Sequence, residues 1–250
     1  MPWSEIALLC VTSFFTSAVT AVVAVGGGAV MIATLLMFMP PMVAIPFQGM
    51  VQMVGAGSRM AVLRKHIAWP IVWRIGLLMP AGAAMGLWLF QGLSQRTIEL
   101  LIGSFVLITL FTGRLKFMEG RELPLWGFFP LGFLVGAVSV TVAVVAMFTG
   151  PFMIRKDMHK QAINVTMATV AVLGHITKII AFGFIGFRPL DHWAPFLAIV
   201  PAVILGTLFG NRILDRMSEA FFLWIFRVSL GGLALKLVLW DGVLQPYFHS

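Results

Sequence analysis

Two sets of polar residues lie inside apolar runs at spacings that bring donors onto one side of a helix. In the run 160–186, Asn164, Ala171, His175 and Lys178 fall within about 40° of one line at 100° per residue. In the run 42–63, Gln48, Gln52, Gly55 and Arg59 do the same. Gln48 to Arg59 and Asn164 to His175 have the same separation in sequence. Each helix therefore offers an amide near one end and a nitrogen donor about three turns later. Amide, imidazole and ammonium donors suit an oxyanion. Each residue also has a plainer reading. Lys178 and Arg59 can snorkel to an interface, His175 can bond a carbonyl within the bundle, and Gln48 and Asn164 can bond between helices.

A third feature is the stretch AVVAVGGGAVM, in which Gly26, Gly27 and Gly28 interrupt an apolar run. Glycine costs about 1 kcal/mol relative to alanine inside a helix, so a triplet predicts a break. Backbone N–H groups freed at a break must be buried in protein or line a cavity. Glycine lets a ligand approach them closely, and a helix N-terminus carries about half a positive charge. Together these make an anion site; close helix packing is the alternative. For Gly82 and Gly86, a G-x-x-x-G pair, packing is the preferred reading.

The elements that must position these groups follow from composition. Of 250 residues, 60% are hydrophobic and 10% charged, where a soluble domain carries roughly 25% charged residues. The chain reads as a polytopic membrane protein with no soluble domain and the lipid bilayer as its surroundings. The net charge of +8 does not indicate nucleic acid, because the basic residues sit at the ends of apolar runs rather than in a stripe. The one cysteine, Cys10, excludes an internal disulfide and a cysteine metal cluster and is expected to pack as a small core residue. No metal ligand set and no cofactor is expected. The first apolar run lacks a basic leader and reads as retained. Span candidates are 4–24, 28–39, 42–63, 70–91, 97–113, 125–148, 160–186, 194–214 and 219–240. The run 28–39 is too short to cross alone. The run around 125–154 is too long for one straight helix and is interrupted at Thr149-Gly150-Pro151.

Repetition organises these runs. Gly82 and Gly86 match Gly206 and Gly210, Trp69 matches Trp193 and Arg64 matches Arg188, all at an offset of 124. Upstream the offset is 118, which sets Ala44 on Ala162, Gln48 on Thr166, and the triple glycine on Val144-Val145-Ala146. Lys and Arg favour the cytoplasmic side. With loop 59–69 inside, loops 113–124, 155–160 and 212–219 also fall inside, provided that the chain makes a re-entrant hairpin near 144–151. The expected fold is all-α: two inverted repeats, 1–118 and 119–250, each of about three spanning helices plus a broken or re-entrant hairpin. That gives seven to eight helical segments, a recurring transporter plan with its site near the midplane.

Carboxylates are absent from mid-membrane positions. All nine acidic residues lie at or near segment ends, whereas proton- or sodium-coupled pumps usually place one inside. This argues against a cation or metal permease. Neither H-E-x-x-H, G-x-S-x-G nor a pair of aspartates occurs within the spans, which argues against an intramembrane enzyme. Trp3, Trp69, Trp73, Trp126, Trp193 and Trp240 lie near span ends, as an interfacial belt would.

The residues AVTAVVAVGGGAVMIATLL followed by VAIPFQG resemble the glycine-rich first motif of the sulfite exporter TauE/SafE family of membrane transporters. The spacing into HIAWPIVWRIGLLMPAGAAMG also fits, and GFLVGAVSVTVAVVAMFTGPFMI with KQAINVT is similar to that family's second copy. The resemblance covers about residues 8–238. It implies a permease of the bacterial inner membrane that exports sulfite, sulfonates or other small organic anions. The chain departs from the pattern at Val144-Val145-Ala146, where the second glycine run normally stands, and at Ala33, where a proline is usual, while Pro151 is kept.

The reading on these grounds is an exporter of a small anion held at the midplane between broken helices. Gly26, Gly27 and Gly28 would bind through the backbone. Gln48, Gln52, Asn164 and Thr166 would orient the ligand with Thr149 and Gly150, and His175 and Lys178 would offset its charge. A non-transporting assembly or receptor subunit is the alternative. Monomer and homodimer both remain open.

Overall fold

The computed structural model describes residues 3–23, 27–98, 100–102, 104, 122–141, 149, 152–153, 155 and 158–213. Among them the regular elements are helices: α1 (Trp3–Val23), α2 (Gly27–Leu35), α3 (Pro41–Leu63), α4 (Trp69–Gln91), α5 (Phe128–Thr141), α6 (Lys160–Gly183) and α7 (Trp193–Ile213). Short 3-10 turns at Arg64–His66, Leu125–Gly127 and Pro189–His192 lead into α4, α5 and α7. Three helical stretches are long and apolar enough to cross a membrane, Trp69–Gln91, Gln161–Gly183 and Pro189–Gly210. The expected runs at 97–113 and 219–240 lie largely or wholly outside the described residues, as do Gly26, Gly150 and Val144–Ala146.

Prolines and one glycine set the helix ends. Pro40 is extended and Pro41 opens α3, where a missing N–H costs nothing and the fixed φ is already helical. Pro70 does the same for α4. α6 ends in a Schellman arrangement. Gly186 takes φ +105°, its N–H reaches the Gly183 carbonyl at 3.3 Å, and the Phe187 N–H reaches the Phe182 carbonyl at 3.0 Å. Glycine is needed at that φ.

Glycines also set which helices touch. α4 and α5 interleave through four of them. A Cβ on Gly82 would lie on the Phe133 carbonyl, 2.7 Å from its carbon, and one on Gly86 would lie 2.8 Å from Ala137 Cα. From the other side, Gly132 faces the Ile75 backbone and Gly136 faces Met79 and Ala83. α7 and α1 pack in the same manner, with Gly206 on the Phe14 backbone and Gly210 on Ala18. Backbones this close gain dispersion contacts that lipid cannot match, which is how small residues drive helix association in a bilayer. The packing reading of Gly82 and Gly86 therefore holds.

α3 lies at the centre. Residues 44–51 are buried without a break, although a surface helix would bury only one stripe. α3 runs antiparallel to α6. Gln48, near the start of α3, meets Lys178, near the end of α6. At the opposite end, the Ala68 N–H donates to Thr166 Oγ1 at 3.0 Å, and the rings of His66 and His159 meet edge to face at 5.2 Å. These two ends are called the His192 face and the His66 face below. Trp69, Trp73, Trp126 and Trp193 are exposed.

Candidate functional site

Lys178 is the centre of the site. It projects from α6 and is 0% exposed. Its Nζ donates to Gln48 Oε1 at 2.9 Å. Gln48, itself buried, donates through Nε2 to the Gly28 carbonyl at 3.4 Å. A chain of hydrogen bonds therefore runs from α6 through α3 to the first turn of α2. Snorkelling does not describe Lys178, because its head stays inside the protein.

Missing side chains make this meeting possible. A Cβ on Gly28 would lie 3.0 Å from Gln52 Nε2 and 3.1 Å from Gln48 Nε2, so both amides rest on the bare backbone of α2. A Cβ on Gly49 would lie 2.9 Å from Lys178 Cε and 3.6 Å from both Lys178 Nζ and His175 Nδ1. Lysine and histidine, three residues apart on α6, thus share the hollow over Gly49. His175 is buried, and its Nδ1 has no hydrogen-bond partner among the described residues.

The charge of the site is unbalanced. An ammonium has three donors, and Lys178 spends one of them on a neutral amide oxygen. Among the described residues no carboxylate pairs with it. Glu5 and Asp191 lie in first turns near helix ends, and Glu122 pairs with Arg155 at 3.7 Å. Burying an ammonium without a counter-charge is costly.

Of the expected ligand residues, Gly28, Gln48, Gln52, His175 and Lys178 come together, and Gly27 opens α2 beside them. Asn164 and Thr166 do not join this group. They lie on the same helix, about 21 Å and 18 Å from Lys178 along its axis. Thr166 Oγ1 accepts the Ala68 N–H at the entrance to α4, while Asn164 Oδ1 is buried without a partner. Thr149 is buried at 1% exposure. Gly49 was not among the expected residues. Its signal in the sequence is a glycine directly after the amide in FQGMVQ, inside a helix that otherwise has no reason to weaken there.

Aromatic residues close over the site at the His192 face. Phe47 precedes Gln48 and meets the His192 ring at 6.2 Å. His192 stacks on Phe187 at 5.5 Å with 8° between planes. Phe182, one turn beyond Lys178, meets Phe90 of α4 edge to face at 5.2 Å. Phe47, Phe90, Phe182 and Phe187 are all buried in one apolar cluster.

No curated protein and no solved structure matches the chain. A family model described as Sulfite exporter TauE/SafE matches residues 9–237, which include every described part of the site and all seven helices except the first turns of α1. This integral membrane protein of packed apolar helices, with a buried lysine at its centre, belongs to the sulfite exporter TauE/SafE family of membrane transporters.

Proposed function

We propose that the chain is an inner-membrane permease that exports a small anion (sulfite, an organosulfonate or a related organic acid), bound between α2, α3 and α6. The observation that carries this is Lys178: fully buried, bonded to a neutral amide, with two donors left and no carboxylate beside it among the described residues. A bound anion would supply the missing charge. Lys178 and His175 would offset that charge, and Gln52 and Gln48 would orient the ligand over Gly27 and Gly28. Asn164 and Thr166, with Thr149, would line the route toward the His66 face. An inside-negative potential assists export of an anion by about 2.3 kcal/mol per charge per 100 mV, so no buried carboxylate is needed to couple it.

Two inverted repeats are the architecture this function would use, with the ligand where the halves meet. Support comes from the reciprocal glycine contacts. Gly82 and Gly86 of α4 pack on α5, and their sequence equivalents Gly206 and Gly210 of α7 pack on α1. Each half thereby hands its glycine helix to the first helix of the other, and the antiparallel pair α3–α6 lies between. Flux through proteoliposomes of purified protein tests the function. Saturable, potential-sensitive efflux of sulfite, thiosulfate, sulfoacetate, taurine or a simple carboxylate is expected, and it should be lost in Lys178→Met. Folded protein that moves none of them would refute the proposal and favour a non-transporting subunit.

A further inference from the structure

We propose that Phe47, Phe187 and His192 form a gate that closes the Lys178 site from the His192 face, hinged at Gly186. The proposal rests on the anion-permease reading for its purpose, and on separate observations for its geometry.

On the His192 side of Lys178 and Gln48 lies a set of packed aromatic rings. Phe47 sits on α3 next to Gln48, and Phe182 sits on α6 one turn beyond Lys178. The Schellman turn bends the chain so that Phe187 folds back toward Phe182, held by the 3.0 Å bond from its N–H to the Phe182 carbonyl. His192 then lies flat on Phe187 and reaches Phe47 with its edge. At the same end of the bundle is a surface cleft lined by Pro40, Pro41, Met42, Phe90, Gln91 and Gln95 among others. Phe90 forms part of that cleft and meets the Phe182 ring. In this proposal an anion leaving Lys178 passes the aromatic layer before it reaches the His192 face.

Two of its three rings, Phe187 and His192, sit stacked on one link and can move together. The link 184–192 is held by the backbone bonds of the turn and by Ile185 and Phe187 packing on the core cluster, and among the described residues a Cβ at Gly183 or Gly186 would meet nothing within 4 Å. Open space at the hinge leaves room for the turn to swing. His192 is half-buried, so the imidazole is the one polar edge of an otherwise apolar seal. It is the first hydrogen-bonding group that a departing anion would meet outside the site. Swinging the link outward would part Phe187 and His192 from Phe47 while leaving the Lys178–Gln48 bond intact.

The test uses the full-length chain in liposomes with Cys10→Ala as background and Lys178→Cys as the reporter. An anionic, membrane-impermeant methanethiosulfonate is applied from each side. Leu190→Cys, at a residue 81% exposed on the His192 face, marks which side the reagent reaches. Slow labelling of Lys178→Cys from that face is expected. Adding Phe187→Ala, or His192→Ala as the milder change, should raise the rate at least about tenfold, because deleting a buried aromatic favours the open state. A second arm joins Phe47→Cys to His192→Cys with a short bifunctional methanethiosulfonate, which spans the space the two rings fill and should stop sulfite flux until reductant is added. An unchanged labelling rate in both alanine variants, or full flux through the cross-linked protein, would overturn the gate. Labelling needs no transported ligand. Gate-dependent labelling without flux of any anion would therefore refute the transport reading and leave the gate standing. Flux with labelling indifferent to both alanine variants would do the reverse.

Discussion

Gly49→Ala separates the site from the scaffold. The added methyl would stand 2.9 Å from Lys178 Cε, and ordinary carbon contact needs about 3.5 Å or more. Cε must therefore retreat by roughly 0.6 Å. The Nζ it carries starts 2.9 Å from Gln48 Oε1, and a retreat of that size takes the pair to the limit of hydrogen bonding. A hydrogen bond to a charged group is worth about 1.5–3 kcal/mol. Half to all of that, lost from the positioning of Lys178, amounts to roughly a 4- to 150-fold loss of anion affinity, at 1.4 kcal/mol per tenfold. Stability feels two opposed effects, because the weakened bond also counts in the folded state. The obstructed atom is the far end of a flexible side chain, and alanine is favoured over glycine by about 1 kcal/mol within a helix. The expected result is weakened half-saturation for sulfite efflux with a melting temperature close to that of the parent, read by flux in proteoliposomes and by thermal unfolding in detergent. Unchanged half-saturation would show that Lys178 need not lie over Gly49 for transport. A large drop in melting temperature would show that the lysine, and not the glycine backbone, is what α3 and α6 pack around.

Gly82→Ala should behave in the opposite sense, because its methyl would lie 2.7 Å from the Phe133 carbonyl carbon, which is backbone and cannot rotate away. Overpacking of about 1–3 kcal/mol predicts a lower melting temperature, while Gly57→Ala, with nothing within 4 Å of the new atom, should match or exceed the parent; equal melting of the two variants would contradict the packing argument. Lys178→Met removes a buried charge of similar volume, so it should leave stability unchanged or raised while ending anion efflux, which paired melting and flux curves would show. Gly186→Ala places a side chain at φ +105°, a strain of about 1–3 kcal/mol, and should lower the melting temperature measurably. Gly28→Ala presses on both glutamine amides at 3.0 and 3.1 Å, and reduced sulfite efflux from a protein that still folds is expected.

Much of the helical layout was legible because apolar length and proline placement are local signals. Pro40-Pro41 and Trp69-Pro70 mark the starts of α3 and α4 within a residue or two of where the helices begin. Gly82 and Gly86 announced a close approach, and Gly132 and Gly136 carry the same spacing on the partner, but spacing alone did not say which glycine helix meets which. The helical faces of Gln48 and Lys178 could be drawn from periodicity. That the two meet could not, because the antiparallel register of α3 and α6 is set by contacts between residues 130 apart. The same register explains why Asn164 and Thr166 stand at the other end: sharing a face with Lys178 fixes an angle about the helix axis, not a height along it. Gly49 escaped notice because its reason for being glycine lies on another helix.

The bond between Lys178 and Gln48 also has a consequence for how the chain enters the bilayer. α3 has the length of a spanning helix, yet it is not among the helices apolar enough to cross by composition, since it carries Gln48, Gln52 and Arg59. During synthesis it leaves the ribosome well before its partner. At about 5–20 residues per second, the 130 residues from Gln48 to Lys178 take roughly 6–26 s. For that interval the amides of α3 have no ammonium to meet, and the neighbouring segments or the insertion machinery must hold the helix in place. α6, which brings the lysine, is long and apolar enough to cross a membrane. Its arrival would then fix α3, making the second half of the chain the step that completes insertion of the first.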